Sequence, residues 1–379
     1  MKIAVLGNQA RAMSNFWTVL LRCMTAAGHE VLCLIPHSGA VDDPVWEDTL
    51  VAAGARLVHY RLDRKGLNPL RDLFCIFDLW RIFRRERPDR LFAYAIKPVI
   101  YGSLAAAVAG APDRAGRSLM ITGLGYAFEG DSLPKRLLMF LAGFLYRLAF
   151  SLSGLVLFQN GDDRNLFARL GILPASGKVM LCKGTGVDLG RFTFCPQALG
   201  APLFLYVGRL VAAKGLREFM AAARLTRTRY PQAIFRIVGP PEPGPGGVPL
   251  QEVLAAQAAG DVEYLGESPD VRPHLEAARA LVLPSYREGS PVSPLEAMAC
   301  GRAVLAADAP GSREVVIHGV TGFLSPPGDV KALAADMESL IKDAGLAAEM
   351  GRRGRAFVEK EYDAVKVAGD LLQQIGVKG

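Results

Sequence analysis

The run Ala280-Leu-Val-Leu283-Pro-Ser-Tyr-Arg287-Glu288-Gly-Ser-Pro-Val-Ser-Pro-Leu-Glu296-Ala-Met-Ala-Cys-Gly301 reads as a short buried strand, a loop rich in Gly and Pro, and a helix that stops at a glycine. A loop leaving the carboxyl end of a parallel strand and entering a helix is where open α/β sheets bind ligands, because the first helical N–H groups lack partners and favour an anion. Two carboxylates, Glu288 and Glu296, flank the turn Gly289-Ser290-Pro291, Glu288 in the loop and Glu296 in the first turns of the helix. Taken singly, Glu288 is a surface acid and Glu296 a complement to a helix dipole. That reading leaves their spacing and the tight turn between them without a reason.

Outward from this unit the same alternation continues in both directions. Leu203–Val207, Ile234–Val238, Val262–Leu265 and Ala303–Ala306 read as further strands, and Lys2–Leu6, Glu30–Ile35, Arg56–Tyr60, Asp89–Ala95 and Leu155–Phe158 form an earlier series, each followed by a helical pattern. Strand–helix alternation predicts parallel sheets covered on both faces. With 379 residues the chain exceeds one ordinary core and suits two. The expected division is an N-terminal domain over 1–190, a linker over 191–202, a C-terminal domain over 203–362, and a C-terminal helix over 363–379 able to pack back on the N-terminal domain.

A second chemical signal follows the first strand of the later series: Tyr206-Val-Gly208-Arg209-Leu-Val-Ala-Ala-Lys214-Gly215. A guanidinium grips phosphate oxygens in pairs and an ammonium acts as a point charge, so two cations at one strand end suit a diphosphate. Alone the pattern is weak, and a salt-bridged loop explains it equally; beside Glu288 and Glu296 it points to a nucleotide diphosphate. The sequence contains no D-x-D and no G-x-x-x-x-G-K-[ST], and Gly123-Leu-Gly125 lacks the third dinucleotide-binding glycine. P-loop hydrolases are excluded, dehydrogenases are disfavoured, and no cofactor or metal is expected.

The run from Gly208 to Asp329, with Glu288 and Glu296, Gly301-Arg-Ala-Val and Glu314-Val-Val-Ile-His-Gly-Val-Thr-Gly-Phe-Leu-Ser-Pro-Pro-Gly-Asp329, resembles glycosyltransferase family 4, whose fold is GT-B: two Rossmann-like, doubly wound α/β domains facing across a cleft. In the N-terminal half, Asn15-Phe16, Ala95-Ile-Lys97-Pro98-Val-Ile-Tyr101-Gly102, Thr122-Gly123-Leu-Gly125-Tyr126-Ala-Phe128 and Phe158-Gln159-Asn160-Gly-Asp162-Asp163 are similar to the subgroup that extends polyprenyl-diphosphate-linked sugars, N-acetylgalactosaminyltransferases among them. The resemblance spans essentially the whole chain. It implies a metal-independent, retaining transferase with a UDP-sugar donor and a polyprenyl-diphosphate-linked acceptor.

By position, the resemblance makes Arg209 and Lys214 the diphosphate clamp, Glu288 the contact to donor-sugar hydroxyls and Glu296 the contact to ribose. Gly289, Ser290, Pro291 and Val292 form the turn whose backbone approaches sugar and phosphate, while Val238, Gly239 and Leu265 border the base. Glu288, Arg209 and Lys214 are thereby the expected catalytic residues. Asn15, Lys97, Tyr101, Thr122 and Gly123 are expected on the acceptor side. Some members place a His near Thr122; here the run is Leu119-Met-Ile-Thr122-Gly, which leaves sugar recognition at that edge open.

Composition bears on where the chain works. Residues 1–190 hold 23 Lys and Arg against 16 Asp and Glu, whereas the remainder holds 21 of each, so the whole net charge of +7 lies in the first half. A basic half suits something anionic, either nucleic acid or the headgroups of a cytoplasmic leaflet, unless the cations merely solvate that half. The cations are not interleaved with aromatics in any recognition motif, which argues against nucleic acid. Leu137–Phe158 carries a single charge, Arg147, and by length it suits a membrane span. Ser151, Ser153 and Gly154 break it, so the favoured reading is a helix of about four turns and then a core strand, the helix lying in the headgroup plane. Met1–Gly7 is too short an apolar run for a signal peptide, and the six scattered cysteines read as reduced core thiols. The expected location is cytoplasmic, peripheral to the inner face of the membrane. A nucleotide-sugar 2-epimerase of related fold is the competing enzyme; it needs no lipid preference.

Overall fold

The structure is a computed structural model that describes residues 1–37, 43–64, 66, 68–124, 128, 133–175, 177–197, 200–244 and 246–377, with backbone alone for Asp43, Leu133, Pro134 and Lys135. The chain divides into two compact units, Met1–Thr185 with Ala364–Gly379, and Gly186–Asp363.

In the first unit the order is β1 (Lys2–Leu6), α1 (Ala10–Ala26), β2 (Glu30–Pro36), α2 (Asp43–Ala52), β3 (Arg56–Tyr60), α3 (Pro69–Glu86), β4 (Arg90–Tyr94), α4 (Ile96–Ala109), β5 (Arg117–Ile121), α5 (Leu133–Ser151), β6 (Leu155–Phe158), α6 (Gly161–Arg169) and β7 (Lys178–Leu181). The second unit runs β8 (Leu203–Val207), α7 (Leu216–Arg229), β9 (Ile234–Val238), α8 (Leu250–Ala258), β10 (Glu263–Tyr264), α9 (Arg272–Ala277), β11 (Ala280–Leu283), α10 (Val292–Ala299), β12 (Ala303–Ala307), α11 (Ser312–Val315), β13 (Gly322–Ser325), α12 (Val330–Lys342) and α13 (Ala344–Glu361). The last helix, α14 (Ala364–Gln374), belongs to the first unit: Leu371, Leu372 and Ile375 join Trp17, Leu21 and Met24 of α1 in one core cluster.

Each sheet is wholly parallel and doubly wound. The first has the order β3-β2-β1-β4-β5-β6-β7 and the second β10-β9-β8-β11-β12-β13. Nearly continuous apolar runs such as Ala303–Ala307, buried throughout, are what a strand covered on both faces requires. The helices start where capping side chains allow. Asn68 accepts from the N–H groups of Leu70 and Arg71 ahead of Pro69 in the first turn of α3, and Asn160 accepts from Asp163 N–H at 2.8 Å to open α6.

Three strands escaped the sequence reading. β5 begins with Arg117 and Ser118, which look exposed in sequence yet are buried; the Arg117 guanidinium donates to the carbonyls of Pro112 and Leu152, at 3.0 and 2.7 Å. β7 and β13 are short strands on sheet edges, where the apolar pattern is weakest. The segment expected as a linker, 191–202, is fastened to the second unit: Phe192 is buried, Cys195 N–H donates to Cys300 O, and Arg302 Nη2 donates to Cys195 O at 2.7 Å. The boundary falls instead between Thr185 and Gly186.

The stretch Leu137–Phe158 is the greater part of α5 followed by β6. Among the described residues no helix is long and apolar enough to cross a membrane. All six cysteines are free, and burial pushes the Cys33, Cys75 and Cys300 thiols up to about 12, which makes them unreactive.

Candidate donor site at the switch point of the second sheet

From β8 the chain winds outward through β9 and β10, then crosses back to β11 on the other side and continues to β13. The loops after β8 and β11 therefore diverge at their carboxyl ends, the position where doubly wound sheets take ligands. Lys214 closes the first loop and Glu288 lies in the second. They meet there, Nζ to Oε1 at 2.7 Å, and Ser285 Oγ donates to the same carboxylate oxygen at 2.9 Å. Gly215, at φ 70°, lets the two loops touch: a Cβ there would lie 2.1 Å from Pro284 O. Glu288 is pinned from its far side as well. Its N–H donates to Pro310 O at 2.9 Å, and a Cβ on Gly311 would lie 2.4 Å from Glu288 O. Three strand-end loops thus converge on Glu288, the first at its carboxylate and the third at its backbone.

Arg209 is placed on the same edge with a different partner, its Nη1 lying 2.9 Å from Glu242 Oε2 while most of the guanidinium side chain stays exposed. The loops after β8 and β9 are clasped to each other by Leu210 N–H to Pro240 O and Ala212 N–H to Gly246 O. Gly239 donates to Gly266 O and accepts from Tyr264 Oη at 3.0 Å, which ties the end of β9 to β10 and sets exposed Leu265 beside it. Val238 is a core residue, 1% exposed, so its side chain cannot line a base site as the sequence reading had it; Leu265 is the available surface at that edge.

The helix α10 begins after Pro291 without a side-chain cap, so the N–H groups of Val292 and Ser293 are held by no local side chain, while Pro294 supplies none. Glu296 lies one turn in. Burial pushes its carboxyl up to about 7, against the opposing charge of Arg191, and among the described residues it takes no hydrogen bond or ion pair. By exposed area Glu296 is only half-buried, so this carboxyl, raised toward neutrality and without a protein hydrogen-bond donor among the described residues, is open to hydroxyl donors. The edge therefore offers two cations and a helix N-terminus for phosphate, and two carboxylates for hydroxyl groups.

The expected acceptor residues fare differently. Lys97 Nζ donates to Asp63 O, Gly66 O and Asp72 Oδ1, each at 2.7 Å, which uses all three ammonium protons. Its ammonium also lies 5.8 Å from the Tyr101 ring, and Tyr101 is buried, with its hydroxyl held well above its ordinary range by burial and by Asp72. These two residues knot the loop before α3 to α4 and are not free for a ligand, so both leave the acceptor list. Asn15 is exposed on α1, and Thr122 and Gly123 follow the end of β5. Gly125, Tyr126 and Ala127 lie outside the described residues. Asn160 is a helix cap. Sequence reasoning missed Ser285 and Glu242; the one signal for Glu242 was a lone acid in the rigid run Pro240-Pro-Glu-Pro243.

Residues 12–180 match the family described as "Glycosyl transferase 4-like domain" and residues 196–357 the family "Glycosyl transferases group 1". Among curated proteins, the N,N'-diacetylbacillosaminyl-diphospho-undecaprenol alpha-1,3-N-acetylgalactosaminyltransferase of Campylobacter jejuni is 25% identical, with 98% of each chain covered. The capsular polysaccharide biosynthesis glycosyltransferase CapM of Staphylococcus aureus is 24% identical over 77% of this chain and 78% of its own. Among solved structures, Anabaena Alr3699/HepE in complex with UDP and glucose superposes with a TM-score of 0.77 at 18% identity, covering 99% of both chains.

Proposed function

Because the chain belongs to the glycosyl transferases, a 4-like domain followed by a group 1 domain on the GT-B fold, we propose that it moves a sugar, with N-acetylhexosamine favoured, from a UDP-sugar to a polyprenyl-diphosphate-linked saccharide with retention. The observation that carries the donor side is the Lys214–Glu288 pair at the switch point, beside the uncapped start of α10. A diphosphate arriving there draws Lys214 and Arg209 and leaves Glu288 to accept from sugar hydroxyls, while Glu296 accepts from the ribose. The acceptor side draws support from the relative that acts on a diphospho-undecaprenol-linked sugar over nearly the full length of both chains.

The reaction follows from what these groups supply. Charge grows on the diphosphate as the glycosidic bond breaks, and preorganised cations and N–H groups stabilise it without reorganisation. Removal of one such donor typically costs roughly 2.7–4 kcal/mol. Retention is assigned to front-side attack, with the departing diphosphate taking the acceptor proton, since no carboxylate of the site is assigned as a nucleophile. No metal is assigned, because on this reading two cations and a helix N-terminus meet the leaving group.

A lipid-linked acceptor requires the first unit to reach a membrane, proposed as the cytoplasmic leaflet. That unit holds 25 Lys and Arg against 16 Asp and Glu, and α5 exposes Phe140, Leu141 and Phe144 on one face. The deciding experiment incubates the protein with a panel of nucleotide sugars and a polyprenyl-diphosphate-linked acceptor, measuring UDP release and product anomer. No UDP release from any donor, or an inverted product, overturns the reading in its first or second part.

A further inference from the structure

The helix α3 carries an apolar face that the sequence pattern gave no reason to single out. Leu73, Phe74 and Phe77 are 64%, 57% and 48% exposed, at the spacing of one helical face. The same face continues as Arg81 and Arg84, whose guanidinium groups stand 6.0 Å from the rings of Phe77 and Trp80. One surface of this helix is thus apolar in its first half and cationic in its second.

The acids around α3 do not cancel that charge. Asp63 pairs with Arg71, Asp72 with Lys97, Asp78 with Arg61, and Glu86 with Lys2, Arg56 and Arg85. Arg81 shares the field of Asp78, but among the described residues neither it nor Arg84 closes an ion pair. They border a groove of about 760 Å³ between α3 and the carboxyl ends of β2 and β3, in which the rings of His37 and His59 stack 4.4 Å apart. Among the described residues the groove's one carboxylate, Asp78, is held by Arg61, and His59 is turned to Glu47 at 2.9 Å; the remaining cations Arg81, Arg84 and Arg85 with Trp80 match a phosphate ester that carries an apolar tail.

The position of α3 extends this face. α3, α4 and α5 pack side by side over the same side of the first sheet, α4 in the middle, and share one core cluster. Adjacent helix axes lie 8–10 Å apart, so the exposed aromatic faces of α3 and α5 stand about 20 Å from each other on one layer. Each of the two faces sets several large apolar side chains side by side in solvent, and such patches mark an interaction site.

Building on the lipid-linked reading above, we propose that α3 is a second membrane-docking helix, acting with α5, and that the groove behind it seats the phosphate of an anionic phospholipid. Apolar side chains enter the acyl boundary while Arg81 and Arg84 extend to the headgroups, the division of labour of an interfacial helix. Surplus cations on an otherwise apolar face favour an anionic bilayer over a second copy of the chain, which would bring like charges together.

The test is sedimentation with vesicles of phosphatidylcholine alone and of phosphatidylcholine with phosphatidylglycerol, at low and high salt, with UDP calorimetry and light scattering on each protein. The wild type should prefer the anionic vesicles. Phe74→Ser/Phe77→Ser should weaken partition at least ~10-fold with α5 intact. Arg81→Gln/Arg84→Gln should lose most of the anionic preference, at about 5-fold for each cation. An α3 variant that partitions like the wild type overturns the proposal. So does a wild-type dimer that ignores lipid and becomes monomeric on Phe74→Ser/Phe77→Ser, because the face then covers a second copy. UDP binding separates this from the transferase reading: lipid binding without UDP binding leaves docking in place and removes the transferase.

Discussion

Lys214 and Glu288, 74 positions apart in the chain, close a 2.7 Å ion pair at the point where the second sheet reverses its winding. The pair is partly buried, so Lys214 is held in place before any diphosphate arrives, and its alkyl stem lies against Gly208. Preorganisation of this kind is what an electrostatic catalyst requires.

Lys214→Ala is therefore expected to lower kcat by about 10²–10³ while the thermal unfolding profile stays near that of the wild type. Steady-state UDP release checks it. An unchanged rate would remove Lys214 from the site.

Glu242 holds Arg209 in the place where a phosphate would compete for it. Arg209→Ala should weaken UDP binding by about 10-fold or more, the worth of a charge-assisted hydrogen bond. Glu242→Gln should leave UDP binding as tight or tighter. Calorimetric titration of UDP into both variants measures the contrast, and equal losses in the two would show that the clasp, rather than a free guanidinium, is what the donor needs.

If Arg209, Lys214 and the start of α10 meet the leaving group as proposed, transfer should persist in a chelator and gain nothing from added magnesium or manganese. A rate that collapses in chelator and returns with metal would refute this.

Lys97 belongs to the fold. It is part-buried with three hydrogen bonds, so Lys97→Met, which leaves Asp72 and two carbonyls without a donor, should cost about 2–4 kcal/mol of stability. Chemical denaturation reads that loss. Loss of transfer at unchanged stability would return Lys97 to the acceptor side.

Legibility followed burial. Strands such as Lys2–Leu6 and Ala303–Ala307, covered on both faces, announce themselves as apolar runs, and the Gly- and Pro-rich order between Leu283 and Val292 announces the strand-to-helix turn that the fold builds there. Lys97 misled because a lone cation near Pro and Tyr looks the same in sequence whether its partners are substrate or backbone carbonyls; only folding brings Asp63, Gly66 and Asp72 to it. Glu242 was hidden for the same reason, since its partner lies 33 residues away. The segment 191–202 looked like a linker because its anchors, Cys300 and Arg302, come a hundred residues later.

Glu296 supplies the sharpest test, because its expected stability and activity effects have opposite signs. Burial raises its carboxyl to about 7 in the fold, from an ordinary value of 4.5. Below pH 4.5 the group is protonated whether the chain is folded or not, and it favours neither state. As pH rises toward 7 the unfolded chain releases this proton while the folded chain retains it, so stability falls through that window and the full cost is present above it. Glu296→Gln removes the titration and should be more stable than the wild type above pH 7 by about 1–2 kcal/mol, with the difference vanishing toward pH 4. If the carboxylate accepts from a donor hydroxyl, the same variant should bind UDP about 10-fold more weakly at alkaline pH, the worth of a charged hydrogen bond. A substitution that strengthens the fold and weakens the ligand is what a residue kept for binding at a cost to stability predicts. Denaturation and UDP titration of the two proteins across this pH range decide it: a variant more stable with undiminished binding would make Glu296 a buried acid without a function, and one less stable would mean that the carboxylate is held by the fold after all.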